Sequence, residues 1–339
     1  MLAAVLWLAL PAALAEARAD AGLYVVARPD ALGQAWAKVG MPLAMHPDVA
    51  RGLARAKDAL GVSPLDEKAW RAAGLRWDGE AVVTVGAALA GDGGPVVEII
   101  VEVVDDARWQ QQRKAEPGSL QATRRGRFAV YTSAMVTGPH KGSAPPGLGR
   151  WLAGDAPLRA FAPTQRGCAG EFALAVHPRA GGLAIRGAWR DATALAFARP
   201  LAGTPPKDAR FLWASVPRVR TLSPCKLRTT AEDPLFEARQ APYRLAHLLE
   251  GLAKELGGAP ALTIAFEAAV GPPTIAAGKG RAPASMRVAL GRWLSALPRP
   301  EGRAEALARS WLGQHFPSAK ANVSSADGAL VCELLLDVR

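Results

Sequence analysis

The run EAVVTVGAALAGDGGPVVEIIVEVVDD, residues 80–106, decides the fold. Its two halves, Glu80–Leu89 and Val96–Val104, are rich in valine and isoleucine and read as strands. Between them Gly91-Asp92-Gly93-Gly94 has the chemistry of a tight turn, so an antiparallel hairpin is expected. Asp105-Asp106 then opens a helix through Trp109, because a short acidic side chain caps the first free amides.

Working outward, Leu23–Arg28 reads as a strand, and Asp30 caps a helix that carries Leu32, Trp36 and Val39 inward. Pro47 starts a second helix with Val49, Leu53, Ala56 and Leu60 on one face. In Ser63-Pro64-Leu65-Asp66 the serine is the expected N-cap and the proline the first helical residue of a short helix. That helix buries Leu65, Ala69 and Trp70 and ends at Gly74. A strand over Arg127–Met135 completes a β-α-β-β-α-β order across residues 22–137, the order of ferredoxin-like folds.

Residues 138–149 form a Gly/Pro-rich connector. The middle segment, 150–207, has a helix expected near Leu148–Phe161. A hairpin follows, Glu171–His177 and Leu183–Arg190, turning at Pro178-Arg179-Ala180-Gly181-Gly182. Residues 208–339 repeat the first order: strands at Asp208–Val216, Ala261–Ala268, Ala284–Leu290 and Ala329–Val338, and helices at Pro242–Leu256, Arg292–Leu297 and Arg303–His315. The 242–256 helix has Leu245, Leu248, Leu249, Leu252 and Leu256 on one stripe. Leu75–Leu89 resembles Leu256–Val270, so the expected fold is α+β: two ferredoxin-like units, a fragmentary internal duplication and a basic hairpin segment between them.

The chain has 339 residues, half of them hydrophobic and 21% charged, which is enough for two units with real cores. This excludes a disordered chain, a collagen and a small disulfide scaffold, and no run beyond the N-terminus is apolar enough to span a bilayer. Leu2–Leu14 is an apolar run followed by polar residues from Glu16, and Ala13-Leu14-Ala15 puts small side chains at −3 and −1 of a signal-peptidase site. Residues 1–15 are therefore read as a signal peptide and the protein as exported, periplasmic or secreted, although no Lys or Arg precedes the apolar core.

Three cysteines leave one unpaired in an oxidising compartment. Cys332 shares a strand face with Leu330, Leu334 and Leu336 and is expected to be an inert core thiol. Cys168 and Cys225 lie in turn-like surroundings; they are the pair that any disulfide would join, and two free thiols is the competing reading.

The residues Gly61-Val62-Ser63-Pro64-Leu65-Asp66, then Ala73-Gly74-Leu75, the paired strands and Val104-Asp105-Asp106 resemble a family of Ala- and Leu-rich exported bacterial proteins defined by a domain of unknown function. The likeness covers the first half well and the remainder loosely. It implies an exported α+β protein and transfers no catalytic residue.

Charge is distributed unevenly. Residues 147–230 hold 13 basic and 4 acidic side chains, whereas 16–146 hold 16 and 15 and 231–339 hold 12 and 11. The candidate binding residues are the arginines of the middle and its margin: Arg179, Arg186, Arg190, Arg199, Arg210, Arg218 and Arg220. A positive field draws anionic partners, and the guanidinium fork suits phosphate or carboxylate. An anionic surface, an anionic polymer or an acidic protein is the expected partner, rather than a specific nucleic acid. A GC-rich coding sequence accounts for arginine in place of lysine, but not for this concentration.

Catalytic patterns are absent from the sequence. His46, His140, His177, His247 and His315 are scattered, and no C-x-x-C, G-x-S-x-G, Walker A or strand-borne G-x-G-x-x-G occurs. Ser223-Pro224-Cys225-Lys226 matches S-x-x-K without its companion elements. Glu98 and Glu102 share a strand face ~13 Å apart, beyond the ~5–9.5 Å of glycosidase pairs, and are read as a solvated face. Trp36, Trp70, Trp109, Trp293 and Trp311 fall at core-facing spacings. The sequence thus points to a non-enzymatic binding or envelope-associated structural protein without cofactor or metal. Two alternatives stand beside it: a carrier of apolar ligands, held between a curved sheet and the 242–256 helix, and a hydrolase whose residues converge from distant segments.

Overall fold

The computed structural model describes residues 12–19, 21–44, 47–88, 95–133, 154–163, 170–179, 182–190 and 212–217. Beyond these it describes 250–251, 254–257, 261–266, 274–277, 285–288, 306, 310, 313–314, 316, 318–326 and 329–337. The chain divides into two compact units, one drawn mainly from residues 1–163 and the other mainly from 164–339.

Unit 1 contains β1 (Leu23–Ala27), α1 (Pro29–Ala44), α2 (Pro47–Leu60), α3 (Glu67–Ala72), β2 (Ala81–Ala88), β3 (Pro95–Glu102), α4 (Asp106–Ala115), β4 (Gln121–Arg125), β5 (Phe128–Thr132) and β6 (Leu158–Ala162). Its strands lie in the order β6-β1-β2-β3-β5-β4, with antiparallel pairing at each step. Thr84 stands opposite Glu98 and Val82 opposite Ile100, so the hairpin expected from residues 80–106 is formed in that register.

The mixed α+β class read from the sequence is present; the ferredoxin-like order is not confirmed. A split βαβ unit places another strand between two parallel ones, whereas β1 and β2 pair directly and antiparallel. Leu158–Ala162 is a strand paired with β1, where a helix near 148–161 was expected: its backbone groups complete the β1 edge. β4, also unforeseen, is a short polar edge strand without an apolar alternation to announce it.

Helices cover one face of this sheet. Trp70, Trp77, Trp109, Leu60, Val62 and Leu75 pack with Ala81, Val101, Val103, Ala129 and Tyr131. Asp66, not Ser63, caps α3: its carboxylate accepts from the amides of Lys68 (2.9 Å) and Ala69 (3.2 Å). The Ser63 carbonyl instead accepts from the Trp70 indole N–H at 3.1 Å. Asp105 caps α4 as expected, accepting from the amide of Arg108 at 3.0 Å. Gly74 ends the α3 region with φ of +69°, and a Cβ there would lie 2.2 Å from the Asp105 carbonyl oxygen. Only glycine meets both conditions.

The opposite face is covered by the chain ahead of β1. A 3-10 helix, Ala12–Glu16, sets Ala13 and Leu14 with Ala17 and Ala21 against Tyr24, Val26, Val82, Ile100, Phe128, Val130 and Phe161. β2 and β3 are therefore covered on both sides, and this explains their near-continuous valine and isoleucine content.

Unit 2 contains β7 (Glu171–Arg179), β8 (Gly182–Arg190), β9 (Leu212–Pro217), β10 (Ala261–Phe266), β11 (Thr274–Ala277), β12 (Ser285–Val288), β13 (Ser318–Ala326) and β14 (Ala329–Asp337). One set of strands runs β12-β13-β14-β8-β7, and a separate sheet runs β11-β10-β9. The β7–β8 hairpin falls where the sequence placed it. β11 and β13 were not foreseen; β13 is made largely of serine, alanine, lysine and asparagine, residues with little strand preference.

Candidate functional site

The arginine-bearing hairpin is the site to which the charge count points. On β8 the residues alternate: Ala184, Arg186, Ala188 and Arg190 share one face, and Leu183, Ile185 and Trp189 the other. Trp189 is buried and stacks on Phe172 of β7, with ring centroids 5.8 Å apart and planes 6° apart, which fixes the hairpin's apolar side. Arg186 is exposed on the polar side.

Neighbouring strands bring acids that the block count had assigned elsewhere. Arg179 is ion-paired and hydrogen-bonded to Asp337 of β14. Arg190 lies 3.8 Å from Glu171 of β7. Arg186 stands in register opposite Glu333 of β14, also exposed. Partly exposed pairs of this kind contribute only about 0.2–1 kcal/mol each, but they neutralise charge locally. Of the candidate residues, Arg179, Arg186 and Arg190 are thus brought onto one hairpin. Arg199, Arg210, Arg218 and Arg220 lie outside the described residues, as do Cys168 and Cys225.

The register extends the polar face. Across β14 and β13, Arg186 is followed by Glu333 and Asn322, and Asn322 pairs with Ser285 of β12. Two residues along, Lys320 of β13 pairs directly with Arg287 of β12, in the row of Leu335 and Ala184. Neither residue was singled out in the sequence. The signal would have been a basic residue on each of two strands, but β13 was not recognised as one.

Cys332 is a correction. It pairs with Gly187 and Val323 and is exposed, whereas its neighbours Val331 and Ala329 are buried. Because its side chain is exposed, Cys332 is not a core thiol. Partial desolvation of the thiol still raises its pKa, which weakens its reactivity at neutral pH.

Glu98 and Glu102 are a second correction. Glu98 has no exposed surface and accepts a hydrogen bond from the Thr84 hydroxyl at 3.3 Å. Glu102 faces Arg76 at 3.4 Å and Arg127 at 3.7 Å. The expected solvated face is the one covered by Ala12–Ala21, and each carboxylate has its own structural partners. A second internal pair joins Arg159, buried in β6, to Glu80, with the Gly154 carbonyl also accepting from Arg159.

On the helical face the Trp109 indole donates to the Tyr131 hydroxyl at 3.0 Å, and Arg113 lies over the Tyr131 ring at 5.5 Å. Burial raises the Tyr131 pKa; the Trp109 hydrogen bond and the Arg113 charge oppose that rise. These groups hold a core. Among the described residues no three His, Cys, Asp or Glu side chains are grouped to hold a metal ion, and no helix is long and apolar enough to cross a membrane.

No family model, curated protein or solved structure matches the chain. The functional reading therefore rests on the placement of charge described above. The apolar stripe at 242–256, on which a carrier reading depends, lies largely outside the described residues.

Proposed function

We propose that the chain is an exported, non-enzymatic protein of the cell envelope that binds an anionic surface through the arginine-bearing β7–β8 hairpin. One observation carries this reading: Arg186 is exposed on β8, within the segment that holds the basic excess of the chain. Arg186 adds a fork for phosphate or carboxylate oxygens. The basic excess of residues 147–230 supplies the longer-range field that speeds arrival.

Export is supported by the apolar run Leu2–Leu14 and by the resemblance of residues 61–106 to exported proteins. In that compartment the anions met are lipid head groups, anionic polymers and acidic proteins. The test is retention on an anionic matrix over a salt gradient, comparing the wild-type chain with an Arg186→Glu variant. The variant is expected to elute at clearly lower salt while keeping a single cooperative melting transition. Equal elution of the two would overturn the assignment.

A further inference from the structure

The segment ahead of β1 does something that its composition hides. Ala13 is 2% exposed and Leu14 1%, and with Ala17 and Ala21 they close the sheet face opposite the helices. Beneath them the register lines up Phe161, Tyr24, Thr84, Glu98 and Thr132 across five strands. Three of these, Tyr24, Thr84 and Glu98, are polar and have at most 1% of their surface exposed. The cover is tied to the sheet at the C-terminal end of its helical turn and closed by a bond within the turn itself. The Tyr24 hydroxyl donates to the Arg18 carbonyl at 2.6 Å, the Arg125 guanidinium donates to the Glu16 carbonyl at 3.4 Å, and the Ala17 amide donates to the Leu14 carbonyl at 3.1 Å.

We propose that Ala12–Ala21 is a permanent layer of unit 1, retained by the working protein, and that folding shields the peptide bond after Ala15 from the peptidase for which the sequence makes it a substrate. A signal peptidase reads small side chains at −3 and −1. In the folded unit the −1 side chain, Ala15, is exposed, but the −3 side chain, Ala13, is buried and the backbone between them is wound in a 3-10 turn. The bond cannot be presented without lifting Leu14 out of the core. Loss of residues up to Ala15 removes Ala13 and Leu14 together and leaves an apolar slot above Val82, Ile100 and Val130, with Glu98 and Thr84 beside it. Folding and processing at this position are therefore alternatives for one molecule.

This inference does not depend on the anionic-surface reading, and its test reads a different quantity. Full-length chain, Leu14→Ala and an exposed control, Ala12→Ser, are compared by thermal melting and by amide hydrogen exchange across β2 and β3. Leu14→Ala is expected to melt roughly 5–10 °C lower with faster exchange in both strands, the control within about 1 °C of wild type. A Leu14→Ala protein indistinguishable from wild type overturns the proposal. The second measurement is the intact mass of the folded protein recovered after export. An N-terminus at Ala13 or earlier is expected, and any later start, with the fold retained, contradicts retention.

Discussion

The two units differ in the charges they bury. In unit 1, Glu98 lies fully buried under the N-terminal segment and Arg159 reaches Glu80 from a buried position, while Glu102 meets the exposed Arg76 and Arg127. In unit 2, Arg186 of β8 and Glu333 of β14 stand in register and are both exposed. Internal pairs are costly to desolvate and serve the fold, whereas charges arrayed on a sheet face change stability little and remain available to a partner. The comparison teaches that net charge by sequence block is a poor guide to a surface. Residues 147–230 owe part of their compensation to Asp337 and Glu333, which come from the end of the chain.

The contrast makes a graded set of predictions. Substitutions in unit 1 should move stability and leave anion binding alone; substitutions on the unit 2 face should do the reverse. The largest effect is expected for Trp109→Ala, which empties a fully packed site and removes the bond to Tyr131: about 3–5 kcal/mol by denaturant unfolding. Tyr131→Phe removes the acceptor of the buried Trp109 N–H and should cost about 1–3 kcal/mol. Asp66→Ala loses the α3 cap and should cost about 1 kcal/mol. Arg186→Glu sets a carboxylate opposite Glu333 and should cost no more than about 1 kcal/mol while weakening binding to an anionic matrix. A unit 1 variant that keeps its fold and loses anion binding would break the comparison.

Alkaline pH offers an independent probe of unit 1. Burial raises the Tyr131 pKa above the 10.0 of a free phenol. The neutral phenol therefore contributes stability that is complete below pH 10 and is lost as the pH rises through the folded-state value, because the unfolded chain ionises first. Unfolding free energies measured from pH 8 upward should fall above pH 10 in the wild type and fall less in Tyr131→Phe. Parallel curves for the two proteins would remove Tyr131 from this account.

Much of unit 1 was legible in the sequence because strong local signals coincide with the packing that uses them. The residue 80–106 hairpin, the Asp105 cap, the stop at Gly74 and the inward Trp70 and Trp109 are all of this kind. Two features were not, each for a physical reason. Glu98 reads as solvated when β3 is taken as a strand with one wet face, yet both of its faces are covered. β13 lacks the branched and aromatic residues that mark a strand and is held by its place between β12 and β14. The candidate site was legible only as an excess of arginine. Its composition as a face depends on register across four strands, which no single segment encodes.

The measurement that tests the central claim most directly is binding of the purified protein to anionic and to neutral lipid vesicles across a salt series. The account predicts association with the anionic vesicles alone, weakening steadily as salt rises and reduced by Arg186→Glu. Equal association with both kinds of vesicle, or none with either at low salt, would contradict it.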